Sequence, residues 1–183
     1  MNKTTNDMKK IVLTFGSIAG IVCVALFYAK MPLDGKFDFE NHTQLYGYMS
    51  MAIALSVIFF AVRQYRDKYN NGSIKFGKAF LIGMLITLVT AVFYVIAWEI
   101  YFSQHGNAFV DQYLTWQQEQ YANSGMTTTE IQSKMTESTQ MFESYRDNAP
   151  VRIGFTTMEI LPVGLIMSLL SSILFGLVWK KKD

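Results

Sequence analysis

Cysteine, histidine and proline are scarce in this chain, and charge is absent from long parts of it. The one cysteine, Cys23, can form no intrachain disulfide. It sits inside an apolar run, where a free thiol packs as a small hydrophobe. The two histidines, His42 and His105, stand far apart, so the chain has no Cys/His spacing suited to a metal. Gly-rich phosphate loops and G-x-S-x-G elbows are missing as well. Together these absences remove the zinc, phosphate-loop and serine-hydrolase classes, and the expectation is a protein that is not an enzyme and needs no cofactor or metal.

The missing charge is more informative. No charged residue lies between Lys10 and Lys30, between His42 and Arg63, or from Ala79 to Trp98, and Glu159 is the only ionisable residue from Ile153 to Trp179. A helix needs roughly 20 apolar residues to cross a hydrocarbon core of ~30 Å, and each stretch supplies them. The fold class read from this is all-α: a four-helix transmembrane bundle in one integral membrane domain, with spans at about 11–31, 43–62, 79–100 and 153–179. A basic n-region and apolar h-region precede Cys23, but Gly20-Ile21-Val22 lacks a small residue just before the cysteine, as a lipoprotein site needs, and no A-x-A site follows. The first span is therefore read as uncleaved.

Eleven of the sixteen basic residues fall in three segments: Lys3, Lys9 and Lys10; Arg63, Arg66, Lys68, Lys75 and Lys78; and Lys180, Lys181 and Lys182. The other two connections hold Lys30, Lys36, Lys134, Arg146 and Arg152 against Asp34, Asp38, Glu40, Asp111, Glu119, Glu130, Glu137, Glu143 and Asp147. Basic residues are retained on the cytoplasmic side, so both termini and the 63–78 loop are expected inside. The basic surplus is a topology signal and does not point to nucleic acid. The expected partners are the lipid bilayer and a protein reached through the outer connection.

Counting about 21 residues outward from Lys10, Arg63, Lys78 and Lys180 gives roughly 31 Å of helix and reaches Met31, His42, Glu99 and Glu159. Tyr28, Tyr46, Tyr48, Tyr94, Trp98 and Tyr101 cluster near that outer boundary, with Tyr65, Tyr69 and Trp179 near the inner one, as interfacial aromatics do. Pro32 follows the first span as a stop. Asn70-Asn71-Gly72-Ser73 reads as the turn of a tight antiparallel connection between spans two and three.

The outer insert, about 103–150, is polar but periodic. Thr127 stands three residues before Glu130, a capping-box spacing. Ile131, Met135, Ser138, Phe142 and Tyr145 then recur at steps of four and three, up to Asp147-Asn148-Ala149-Pro150. Upstream, Phe109, Tyr113, Trp116 and Gln120 or Tyr121 keep the same period, so span three is expected to run on and turn back at Asn123-Ser124-Gly125 as a helical hairpin. Its Gln, Ser and Thr content also suits a disordered segment.

Small residues mark packing faces, since lipid gives no hydrophobic drive for helix pairing. Gly16 and Gly20 form a G-x-x-x-G, Gly83 lies on an Ala79-Gly83-Thr87-Ala91 stripe, and Gly164 and Gly176 end a Gly164-Ser168-Ser172-Gly176 stripe. The hydroxyls could instead line a polar path, although such groups usually bond a carbonyl one turn back.

Glu99 and Glu159 are the candidate proton or cation site, because ionisable residues in spans are functional hypotheses by default. At one depth on neighbouring helices they could share a proton. Pro162 would free the carbonyl of Met158 beside them. At the outer edge, though, both could stay wet, with Arg152 or Arg146 neutralising Glu159.

Tyr65-Arg66-Asp67-Lys68-Tyr69, Gly72-Ser73-Ile74-Lys75-Phe76-Gly77-Lys78-Ala79-Phe80 and Thr157-Met158-Glu159-Ile160-Leu161-Pro162-Val163-Gly164 resemble a bacterial membrane-protein family, domain of unknown function four-one-nine-nine. The resemblance covers nearly the whole chain. It implies a four-span protein of the bacterial inner membrane and carries no activity with it. The functional expectation is a non-enzymatic interaction partner or subunit of a membrane assembly. The alternative is a small oligomeric transporter or channel using Glu99 and Glu159.

Overall fold

Without water to satisfy its N–H and C=O groups, an apolar run has one local solution, the helix. The structure, a computed structural model, describes residues 3–32, 35–37, 39 and 43–179 and is all-helical among them. Helix α1 covers Lys3–Tyr28, α2 Thr43–Leu55, α3 Val57–Tyr69, α4 Phe76–Ala122, α5 Thr128–Asp147 and α6 Ala149–Ile173, and a π-helical turn follows at Leu174–Val178. Four segments are long and apolar enough to cross a membrane: Asn6–Tyr28, Leu45–Tyr69, Phe76–Ala122 and Ala149–Val178. Asp34, Asp38, Glu40, His42 and Lys180 to Lys182 lie outside the described residues.

The second span is broken at Ser56. Its hydroxyl donates to the Ile53 carbonyl at 2.7 Å, and the Phe59 N–H returns to the Ser56 carbonyl at 3.1 Å, a tightened turn that separates α2 from α3. The helix then runs to Tyr69, past the expected limit of 62, and reverses through Asn71 and Gly72 at φ +53° and +80°. Helix α6 starts at Ala149 rather than 153. Asn148 caps it by accepting from the Val151 N–H, and Pro150 occupies the first turn, where its missing N–H costs nothing.

Helix α4 is the spine. It lies parallel to α1 and antiparallel to α6, which sit on opposite flanks, and the α2–α3 span closes the bundle against both. Its 47 residues make ~70 Å of helix, far more than a bilayer needs. Beyond residue 102, α5 runs back along α4: Tyr113 meets Phe142 at 4.7 Å between ring centroids, and Arg146 pairs with Asp111 at 2.7 Å. The α5 start has the complete capping box between Thr127 and Glu130. Phe37 and Phe39 climb from the first connection onto Phe109, Tyr113 and Trp116, held by reciprocal bonds from Phe37 N to Gln112 Oε1 and from Gln112 Nε2 to the Gly35 carbonyl.

The turn at 70–73 is tight, as expected, and joins α3 to α4, which packs on α3 and more extensively on α1 and α6. Two sequence expectations are corrected by the packing. Tyr94, Trp98 and Tyr101 do not ring the outer boundary. Spaced by four and three residues, they share one buried face of α4 and surround Phe27, with centroids 5.8, 5.9 and 5.8 Å away. The common depth of Glu99 and Glu159 also fails. Gly176 lies against Phe76, so Lys78 is level with the π-helical turn rather than with Lys180. Counting from Lys180 therefore starts about six residues, or ~9 Å, too far along, and Glu159 lies correspondingly deeper in the bundle than Glu99.

Candidate functional site

Helices with no side chain between them approach most closely, and all five candidate glycines stand at such points. A Cβ added at Gly16 would come within 2.6 Å of Val89 Cβ, at Gly20 within 2.5 Å of the Phe93 ring, at Gly83 within 2.5 Å of Ser168 Oγ, and at Gly176 within 2.8 Å of Phe76 Cα. At Gly164 it would overlap the Thr87 side chain. Thr87 Oγ1 donates to the Gly83 carbonyl at 3.0 Å, Thr90 to Ile86 at 2.9 Å and Ser172 to Ser168 at 2.6 Å. These three hydroxyls turn back on their own helices, Thr90 also reaching the Gly16 carbonyl of α1 at 3.4 Å, while the buried Ser168 Oγ has no partner among the described residues; the stripes bring the helices into close contact.

Where the bundle meets the hairpin, Arg152 ties three helices together. From the first turn of α6 its Nε and Nη2 donate to Glu99 Oε1 and Oε2 of α4 at 2.7 and 2.6 Å. Its Nη1 donates to the carbonyls of Tyr145 and Arg146 at 3.0 Å each. Those carbonyls belong to the last turn of α5, where helix geometry leaves acceptors unpaired. The guanidinium also lies 4.3 Å from the Phe102 centroid. Arginine suits this place because its planar fork matches a carboxylate bidentately and still reaches two further acceptors. Beside it, Trp98 Nε1 donates to the Tyr145 hydroxyl at 2.7 Å, and burial pushes that phenol up to about 12.

Glu159 stands apart, seven residues and ~10 Å of helix rise beyond Arg152. Its Oε2 accepts from the Tyr94 hydroxyl at 3.1 Å. No salt bridge to it occurs among the described residues, since Arg152 is taken by Glu99 and Arg146 by Asp111. The two candidate acids therefore occupy different levels with different partners and do not form a pair. Glu159 is exposed as a whole residue, although its carboxyl is crowded by neighbouring side chains.

The family model described as Protein of unknown function (DUF4199) matches residues 14–176. The chain belongs to this family. The DUF4199 match runs from within α1 to the π-helical turn, so it includes Glu99, Arg152, Tyr94, Glu159 and the five packing glycines. Among curated proteins and among solved structures, nothing matches the chain.

No three His, Cys, Asp or Glu side chains converge on a possible metal position among the described residues. An open groove of about 490 Å³ lies between Phe37, Phe39 and the α4 extension, lined there by Asp111, Gln112, Trp116 and Glu119. The sequence suggests Glu159 as the partner of Arg152, whereas the fold gives Arg152 to Glu99. A helix-end argument could have found the rest of its role. Arg152 follows closely on the α5 terminus at Asp147, where the last carbonyls of that helix need donors.

Proposed function

We propose that this is a non-enzymatic, multi-pass protein of the bacterial inner membrane that works as a subunit or interaction partner in a membrane assembly. The observation that carries the proposal is the Arg152 clamp, which makes the α4–α5 hairpin a rigid continuation of the bundle. A hairpin clamped in this way can hold a protein partner at a fixed orientation to the membrane, which a loosely tethered segment cannot do.

Both termini and the 70–75 turn are assigned to the cytoplasm, and the hairpin to the opposite side. In support, the α1 start, the α3–α4 turn and the α6 end all lie at one end of the bundle, and these are the segments that hold most of the basic residues. The transporter alternative loses its shared acid pair, because Glu99 is committed to Arg152 and Glu159 lies deeper with Tyr94.

The test is purification from native membranes in mild detergent with the exposed face of α5 altered by Glu137→Lys and Met141→Glu. A stoichiometric partner retained by the parent and lost by these variants supports the reading. A partner retained equally by both, or proton or cation flux from the parent in liposomes, overturns it.

A further inference from the structure

Apolar side chains cover the outside of the four spans, including Leu13, Ile53, Val92, Ile96, Met158, Ile166 and Leu177. Glu159 interrupts that surface. Lipid offers no hydrogen-bond donor to a carboxyl at that depth, and an ionised one there is costly. A second acceptor lies beside it: Pro162 has no N–H, so the carbonyl of Met158 lacks its usual donor four residues on, and Met158 is 71% exposed. In hydrocarbon each such group needs a partner. Tyr94 supplies one hydrogen bond, to Oε2, and no partner for Oε1 occurs among the described residues.

We infer that this flank of α6 docks a transmembrane helix of another protein, one that presents a lysine, arginine or histidine to Glu159. The inference rests on the subunit reading above and names the chemistry of the neighbour. Charge complementarity selects it: the flank offers a carboxylate and a carbonyl, both acceptors, so the occupant must donate and is best cationic. A second copy of this chain does not fit. It would bring another Glu159, and the nearby Arg152 is already bound to Glu99 and two carbonyls.

The experiment places a photo-crosslinking residue at Met158 in the full-length protein in its native membrane, with Leu13 on α1 as a control position and Met141 on α5 as a hairpin position. The expected result is a single protein adduct at Met158, absent at Leu13, whose sequenced peptide is an apolar segment carrying a basic residue. Glu159→Gln, which keeps the side-chain shape, should cut the yield about tenfold while leaving the detergent melting temperature in place. Glu159→Lys combined with a Glu in place of the partner's base should restore it. Adducts to lipid alone, to a second copy or to a helix without a basic residue overturn the inference, as does an unchanged yield in Glu159→Gln. Protein adducts at Met141 but not at Met158 would sink only this inference. Absence of protein adducts at both positions would sink the subunit reading too.

Discussion

Replacing Arg152 with methionine removes the guanidinium and keeps most of its length. Glu99 is then left as a partly buried carboxylate without its counter-ion, and the Tyr145 and Arg146 carbonyls lose their donor. Removing one partner of a buried ion pair costs about 3–5 kcal/mol. The Glu99 side chain is 27% exposed and that of Arg152 10%, so water recovers part of the loss and the lower end, ~3 kcal/mol, is expected. For a chain of this size each kcal/mol moves the melting temperature by roughly 2–4 °C, which gives a fall of about 6–12 °C in detergent. Glu99→Leu combined with Arg152→Met should recover more than half of that fall, because the stranded charge is gone and an apolar pair of similar volume can take its place. The assay is a thermal melt of the four proteins of the double-mutant cycle, read alongside protease nicking near Ser144. Additive losses in the double variant, or no loss in Arg152→Met, would refute the clamp.

Two further perturbations test the packing and the hairpin. Gly164→Leu should destabilise the bundle by roughly 1–3 kcal/mol through overpacking against Thr87, whereas Gly154→Leu, on the open flank, should leave the detergent melting temperature unchanged; equal tolerance of both contradicts the packing. At the start of α5, the backbone N–H and hydroxyl of Thr127 hold the Glu130 carboxyl below its ordinary value of 4.5. Its contribution is therefore present above pH 4.5 and is lost as pH falls through the lowered folded value. Amide exchange at residues 128–131 should accelerate on acidification below pH 4.5, intrinsic rates corrected, and Glu130→Gln, which has no carboxyl to titrate, should abolish that extra acceleration.

Much of the fold was legible in the sequence because the membrane sets such strict terms. Four charge-free runs, the small-residue steps at Gly83 and Gly164, and the Thr127–Glu130 box each describe a local or periodic requirement. The continuation of α4 to Ala122 was visible in the same way, from Phe109, Tyr113 and Trp116. Register was not legible. Whether Lys180 or Leu174 is level with Lys78 depends on how α4 and α6 slide along one another, and nothing within either helix states it. That single offset displaces Glu159 by nearly two turns and puts Arg152 beside the wrong acid. Tyr94 and Trp98 escape sequence reading for a related reason, since an aromatic near a span end can face the headgroups or the bundle, and only its neighbours decide.

Cys23 is the chain's one cysteine and is buried, so a Cys23→Ser background allows single reporter cysteines to be placed without interference. A membrane-impermeant maleimide applied to intact spheroplasts should label Ser124→Cys, at the tip between α4 and α5, immediately. It should label Asn71→Cys, in the turn between α3 and α4, only after the membrane is opened. Labelling of both in intact spheroplasts, or of Asn71→Cys alone, would contradict a membrane-spanning bundle that holds its clamped hairpin outside the cytoplasm.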